Sequence, residues 1–164
     1  FIYKVLPAAR LWVVGTGEGS YLESLKNNLK VKDIQSRIKF FGYLSEDKKL
    51  SIMQKAHVLL HASVKEGWGL VVLEAASQGT PAVVYDTHGL SEVVKHKKTG
   101  IVIGDNSPES LAQEAVWLYQ HPRQYHEYQK NGIAWVKSLR WKDVTKTSLT
   151  LLMHTYEKQK FSHH

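Results

Sequence analysis

The stretch 57-HVLLHASVKEGWGLVVLEAASQGTPAVVYD-86 decides the fold. Its first seven residues (57–63) form a short apolar run that reads as a buried strand. Residues 69–78, "GLVVLEAASQ", read as a helix, closed by Gly79 and Pro81. Residues 82–86, "AVVYD", read as the next strand. A strand, a helix and a strand joined by short links favour a parallel pairing. Upstream, "RLWVVG" (10–15) and "RIKFFG" (37–42) read as strands and "SYLESLKNNLKV" (20–31) as a helix. Ser45, followed by Glu46 and Asp47, opens a second helix with acids in its first turn. Downstream come a short helix at "LSEVVK", a "KKTG" turn and a fifth strand, "IVIG". Ser107-Pro108-Glu109 starts a helix with proline at its first position. From there three helices follow, broken near Pro122 and Trp141. The expected fold is α/β, a Rossmann-like parallel sheet with helices on both faces.

The 164 residues are enough for one domain with its own core. No cysteine is present, which excludes disulfides and thiolate metal sites. No apolar run is long enough to span a bilayer. The start "FIYKVLPAAR" lacks a signal-peptide pattern, and a chain opening on Phe1 reads as a fragment. Lys and Arg outnumber Asp and Glu by 22 to 15, giving a net charge of +7. The lysines are scattered except in "KHKK" (95–98), which falls in a turn. Most of them read as a solvated surface, and no zinc-finger spacing or RNP-like strand points to nucleic acid. The terminal Ser162-His163-His164 is assigned no role.

In a sheet of this kind, ligands bind beyond the carboxyl ends of the strands. The segments there read "GTGEGS", "GYLSE", "SVKEGWG", "DTHGLSE" and "GDNSPE". Four of the five bring glycine together with hydroxyl or acidic groups, which suits a polar small molecule. "GTGEGS" (Gly15–Ser20) lacks the third glycine of a dinucleotide fingerprint and a following ribose-binding acid. A tight turn and a phosphate contact both remain open for it. Gly67 and Gly69 allow a ligand to approach the backbone closely, and the helix that starts there points free N–H groups at it. Glu74 lies one turn in, on the face of Leu70, with its side chain leaning back toward that end. A carboxylate there suits a vicinal diol, as in a ribose, rather than a phosphate. Glu66, eight positions earlier, suits the hydroxyls of a second sugar. Either acid alone could merely serve a helix dipole or the solvent; the pair favours a site. Trp68 has a core reading and a ligand-stacking reading. His57, His61 and His88 lie near strand ends without metal-ligand spacing, so no metal is expected. Trp117, Trp135 and Trp141 read as packing residues on the C-terminal helices.

The block "SVKEGWGLVVLEAASQGTPAVVYDTHGLSEVV" resembles the nucleotide-sugar signature of retaining glycosyltransferases of family GT4, the glycosyl transferases group 1. Its E-x7-E pair is Glu66 and Glu74. "LWVVGTGEG", "IKFFGYLSEDKKLSIMQKAHVLLHAS" and "KKTGIVI" are similar to neighbouring blocks of the family in order and spacing. The resemblance covers nearly the whole chain. It implies the C-terminal, donor-binding domain of a GT-B fold, in which two Rossmann-like domains face a cleft. It implies that Glu74 binds the nucleotide ribose. It implies that Glu66, the catalytic candidate, holds the donor sugar with the backbone of Gly67, Trp68 and Gly69. The N–H groups of Leu70 and Val71 would meet the diphosphate. Gly15, Thr16 and Gly17, with Tyr43 and Leu44, would border the phosphates and base.

The resemblance also implies what lies beyond this chain. The domain's first strand–helix unit would precede Phe1, with the Arg and Lys that neutralise the diphosphate, and "FIYKVLPAAR" would be the tail of that helix. An acceptor domain for a sugar, lipid or other molecule would precede it in turn. No cofactor is implied, since the substrate is itself a nucleoside diphosphate sugar such as a UDP- or GDP-sugar. The expected location is cytoplasmic, with peripheral contact at the inner face of a membrane left open through the full-length protein. Departures from the family pattern are Ala62 where proline is frequent, Ala76 near a frequent methionine, and "DTHGLSE" for a more glycine-rich turn. Two alternatives stand beside the transferase: a nucleotide-sugar epimerase of the same fold, and a polyanion-binding module acting through "KHKK".

Overall fold

The structure, a computed structural model, describes residues 1–31 and 34–161, so Ser162, His163 and His164 lie outside the described residues. A one-turn helix α1 (Ile2–Val5) precedes β1 (Leu11–Val14) and α2 (Gly19–Val31). A 3-10 turn, Gln35–Arg37, leads into β2 (Ile38–Gly42) and α3 (Glu46–Lys55). β3 (Leu59–His61), α4 (Leu70–Ser77) and β4 (Ala82–Tyr85) follow. α5 (Leu90–Val93) and β5 (Gly100–Ile103) lead into three helices: α6 (Pro108–Gln120), α7 (Pro122–Ser138) and α8 (Trp141–Phe161). All five strands and the helix breaks fall where the sequence predicts them, although β3 is shorter than the seven-residue apolar run.

Every strand pairing is parallel, but the hydrogen-bonded sheet comes in two pieces. β1 pairs with β2, and β3 with β4 with β5. No ladder joins β1 to β3. Leu11, Trp12 and Val14 of β1 are therefore 38–40% exposed, unusual for apolar residues of a parallel strand.

β4 explains why the second piece is the better buried one. All four of its residues are buried, and alternate ones face opposite layers. Val83 and Tyr85 join Ile101, Ile103, Leu111, Leu118 and Tyr128 under α6 and α7. Ala82 and Val84 join Val72, Leu73, Leu90 and Val93 under α4 and α5. Helices thus cover both faces, as the unbroken apolar run 82–85 requires. Trp135 of α7 packs on the second cluster and donates its indole N–H to the Val93 carbonyl at 3.0 Å. Trp117 instead stacks on His121 near the surface, and the side chain of Trp141 is outside the described ones.

α4 ends as its sequence predicts. Thr80 N–H bonds the Ala75 carbonyl and Gly79 N–H the Ala76 carbonyl, with Gly79 at φ +77°. This is a Schellman closure, and the left-handed residue it needs is the glycine. Thr80 then points inward and donates its hydroxyl to the Met53 carbonyl at 2.5 Å, locking the end of α3 to the end of α4. Among the described residues no helix is long and apolar enough to cross a membrane.

Candidate functional site

The carboxyl ends of the strands carry the residues singled out from the sequence. Val14 leads into Gly15, whose N–H bonds the Gly42 carbonyl at 2.8 Å, so the ends of β1 and β2 lie side by side. Gly15 (φ +121°) and Gly42 (φ +65°) both hold backbone conformations that L side chains avoid. The turn alone therefore accounts for Gly15. Thr16 and Gly17 are exposed. Tyr43 is 81% exposed just beyond β2, and Leu44 is half-buried.

Beyond β3 the chain folds back on itself. Ser63 Oγ donates to the Lys65 carbonyl at 2.7 Å, and Thr87 Oγ1 donates to the Ser63 carbonyl at 2.8 Å. The second bond ties the loop after β3 to the loop after β4. Asn106 does the same one strand further on: it accepts from Asp86 N–H at 2.6 Å and donates to the Asp86 carbonyl at 3.1 Å. Glu66 is held inside this scaffold. Its Oε1 accepts from Gly67 N–H at 2.9 Å, and its Oε2 faces His61 Nε2 at 3.4 Å. It is neither free in solvent nor sealed.

The two glycines after Glu66 have different reasons to be glycine. Gly69 is left-handed at φ +62°, and an added Cβ would lie 3.0 Å from Val93 Cγ2 and 3.1 Å from Leu90 Cδ2. It is the residue that lets α4 start while packed against α5. Gly67 has an ordinary φ and open space around an added Cβ. Nothing in the fold requires it. Gly89, retained in the "DTHGLSE" turn, abuts this loop: an added Cβ would lie 2.9 Å from the Gly67 carbonyl oxygen. The departure from a glycine-rich turn thus leaves glycine at the position that touches the site.

α4 begins with no side-chain cap. The Gly69 carbonyl accepts from Val72 and Leu73, while the N–H groups of Leu70 and Val71 have no acceptor among the described residues. Those two amides and the positive helix end form an anion-binding feature. Trp68 is 45% exposed and Leu70 59%, which decides against a core role for Trp68. Leu70, Glu74 and Ser77 share the unburied face of α4, while Val72, Leu73, Ala75 and Ala76 face inward.

Glu74 has a partner that sequence reasoning missed. Its Oε2 is shielded from solvent and meets Lys49 Nζ at 2.7 Å. The approach is off hydrogen-bond geometry, so the pairing is ionic rather than an aligned bond. Lys49 Nζ also lies 2.8 Å from Glu46 Oε1. Glu46 first and Glu74 second hold the Lys49 ammonium above the usual lysine range, against a smaller opposing effect of burial. The only sequence signal was position: Lys49 is one turn into the helix that follows Tyr43 and Leu44. Through it the segment after β2 reaches the acid on α4. No hydrogen bond or ion pair among the described residues joins Gly15–Gly17 to the Glu66–Val71 loop.

The other candidates disperse. His57 packs edge-on against Tyr119, His61 faces Glu66, and His88 pairs with Glu92. Among the described residues no three His, Asp or Glu groups cluster to hold a metal. In the "KHKK" run Lys95 and His96 have side-chain partners, and Lys97 and Lys98 are exposed. Lys95 lies over the Trp135 ring at 4.4 Å, and His96 Nδ1 accepts from Val102 N–H at 3.0 Å. Lys97 adopts φ +57° to make the turn. An open cleft of about 450 Å³ beside this turn is lined by Asp86, Ser91, Lys95, His96 and Gly104. It contains neither Glu66 nor Glu74, and the fold places it at the β5 edge of the sheet rather than over α4.

Parallel strands with helices on both faces define a Rossmann-like domain, and a carboxylate pair flanks the bare N-terminus of α4. The family described as Glycosyl transferases group 1 matches residues 3–135, and the chain belongs to it. It is 36% identical over 105 residues to an uncharacterized glycosyltransferase of Methanocaldococcus jannaschii, covering 63% of this chain and 26% of that protein. It is 30% identical over 132 residues to the poly(glycerol-phosphate) alpha-glucosyltransferase of Bacillus subtilis, covering 80% of this chain and 19% of that protein. The Anabaena protein HepE, solved in complex with UDP, superposes with a TM-score of 0.78 at 20% identity, over 94% of this chain and 44% of its own. That likeness concerns the fold alone. The chain spans about a quarter or less of the length of these curated relatives.

Proposed function

We propose that this chain is the donor-binding domain of a retaining glycosyltransferase, the C-terminal half of a GT-B fold. In the reaction, the bond between the sugar's anomeric carbon and the diphosphate oxygen breaks, and a bond to an acceptor oxygen forms. The acceptor proton is lost and the nucleoside diphosphate leaves. Glu74 accepts from the ribose diol, and the Leu70 and Val71 amides meet the diphosphate. Glu66 and the loop Gly67–Gly69 hold the transferred sugar. Gly15–Gly17 and Tyr43-Leu44 border the phosphates and base. The observation that carries this reading is the position of Glu74 on the open face of α4, one turn from amides with no acceptor among the described residues.

The broken sheet supports a further part of the reading. In the Rossmann order the strand that comes first in sequence lies in the middle of the sheet, between the second and fourth. If β1 and β3 are those second and fourth strands, the first belongs between them, where no ladder joins them. A strand–helix unit preceding Phe1 would fill that position and cover the exposed apolar residues of β1. The cations that neutralise the diphosphate and the acceptor domain belong to that preceding polypeptide, so this chain alone should not transfer sugar.

A thermal-shift panel of UDP-, GDP- and ADP-sugars on the intact protein tests the proposal. One base should raise the melting temperature, with little dependence on salt. No stabilisation by any of them would overturn it. Stabilisation by polyanions that collapses as salt rises would favour the alternative.

A further inference from the structure

We infer that Lys49 is the positioning residue for Glu74, fixing which carboxylate oxygen is offered to the ligand. The inference rests on the reading of Glu74 as a ribose acceptor. A carboxylate one turn into a short helix can rotate about its side-chain bonds and offer either oxygen. Here it is not free to do so. Lys49 Nζ holds Oε2 at 2.7 Å, and that oxygen has no solvent exposure. The Glu74 side chain is nonetheless 29% exposed, so the accessible surface lies on its other atoms. The ammonium is braced in turn by Glu46 at 2.8 Å on the preceding turn of its own helix. One ammonium can neutralise two carboxylates, and this one lies within ion-pair distance of both. The result is a chain Glu46–Lys49–Glu74 that runs from the segment beyond β2 to the open face of α4.

The arrangement orders the acceptor before a ligand arrives, which lowers the entropy lost on binding. Lys48, the neighbouring residue, is exposed and makes no ion pair among the described residues. It serves as a matched control for loss of one positive charge.

The experiment uses the intact protein and isothermal titration with UDP, GDP and ADP. The tightest of these is then compared with its 2′,3′-dideoxy counterpart. The parent should prefer the ribose form. Lys49→Met should weaken the ribose form about tenfold and reduce that preference by a similar factor. The dideoxy form should bind almost as before. Lys49→Arg should restore the preference, and Lys48→Met should leave both affinities unchanged. Equal weakening of both forms by Lys49→Met would overturn the inference, since Lys49 would then act on the diphosphate or on folding. Tighter binding of the ribose form would also overturn it, with Lys49 acting as a competitor for Glu74. A parent that shows no ribose preference would remove the reading of Glu74 itself, and a preference unchanged in Lys49→Met would remove only the role of Lys49.

Discussion

Gly67 and Gly69 are two residues apart, and alanine at each should have opposite consequences. At Gly69 an alanine would sit at φ +62°, a left-handed conformation that costs an L residue about 1–2 kcal/mol. Its Cβ would also lie 3.0 Å from Val93 Cγ2, 3.1 Å from Leu90 Cδ2 and 3.3 Å from the Gly89 carbonyl oxygen. Leu90 and Val93 are buried, so they yield only by disturbing the cluster they belong to. Overpacking of this kind adds roughly 1–3 kcal/mol. The total is about 2–5 kcal/mol. For a domain of this size each kcal/mol lowers the melting temperature by about 2–4 °C. Gly69→Ala should therefore melt about 4–20 °C below the parent. Gly67→Ala meets no heavy atom and no strained φ. It should keep its stability within about 0.5 kcal/mol, or gain slightly by restricting the unfolded chain. If Gly67 is glycine so that a sugar can approach the backbone, Gly67→Ala should lose nucleotide-sugar affinity while staying folded. Thermal unfolding followed by circular dichroism, with titration of each variant, measures both effects. Equal melting temperatures for the two variants would refute the packing argument, and full affinity in Gly67→Ala would refute the close approach.

Gly89→Ala should displace the Glu66–Gly67 loop, because its Cβ would meet the Gly67 carbonyl oxygen at 2.9 Å from a φ of +89°; titration should show affinity for a nucleotide sugar falling more than affinity for the bare nucleoside diphosphate. Thr80→Val keeps the side-chain shape but removes the hydroxyl that donates to Met53 and Ala56; a calorimetric melt should show a loss of about 1–3 kcal/mol. The double substitution Lys97→Ala, Lys98→Ala should leave nucleotide-sugar affinity unchanged by titration, since the turn lies away from α4; a large loss would mean that the basic run reaches the diphosphate.

The fold was legible because its signals are local. The apolar run 82–85 faces two helical layers, so its unbroken hydrophobicity marked a buried parallel strand. Gly79 and Pro108 ended and started helices through backbone constraints that no tertiary contact overrides. The break between β1 and β3 was not legible, because ladder partners are chosen by strands distant in sequence. The E-x7-E pair could be read as a candidate site from spacing alone, since one helical turn puts Glu74 on the face of Leu70. Its partner could not. Lys49 is one lysine among many, and only the packing of α3 on α4 separates it from Lys48. The two glycines likewise look alike in sequence and differ only once φ and neighbours are known.

The central claim is that the two carboxylates read different parts of one ligand. It is tested most directly by titrating Glu74→Ala and Glu66→Ala in the intact protein with the preferred nucleotide sugar and with its bare nucleoside diphosphate. Hydrogen bonds to a charged acceptor are each worth about 1.5–3 kcal/mol. Glu74→Ala should therefore weaken both ligands about tenfold to a hundredfold, and Glu66→Ala should weaken only the nucleotide sugar. The fold should survive loss of Glu74, whose ion pair with Lys49 is partly exposed and worth at most about 1 kcal/mol. A Glu74→Ala protein that binds both ligands as the parent does, or a Glu66→Ala protein that loses both equally, would contradict the account.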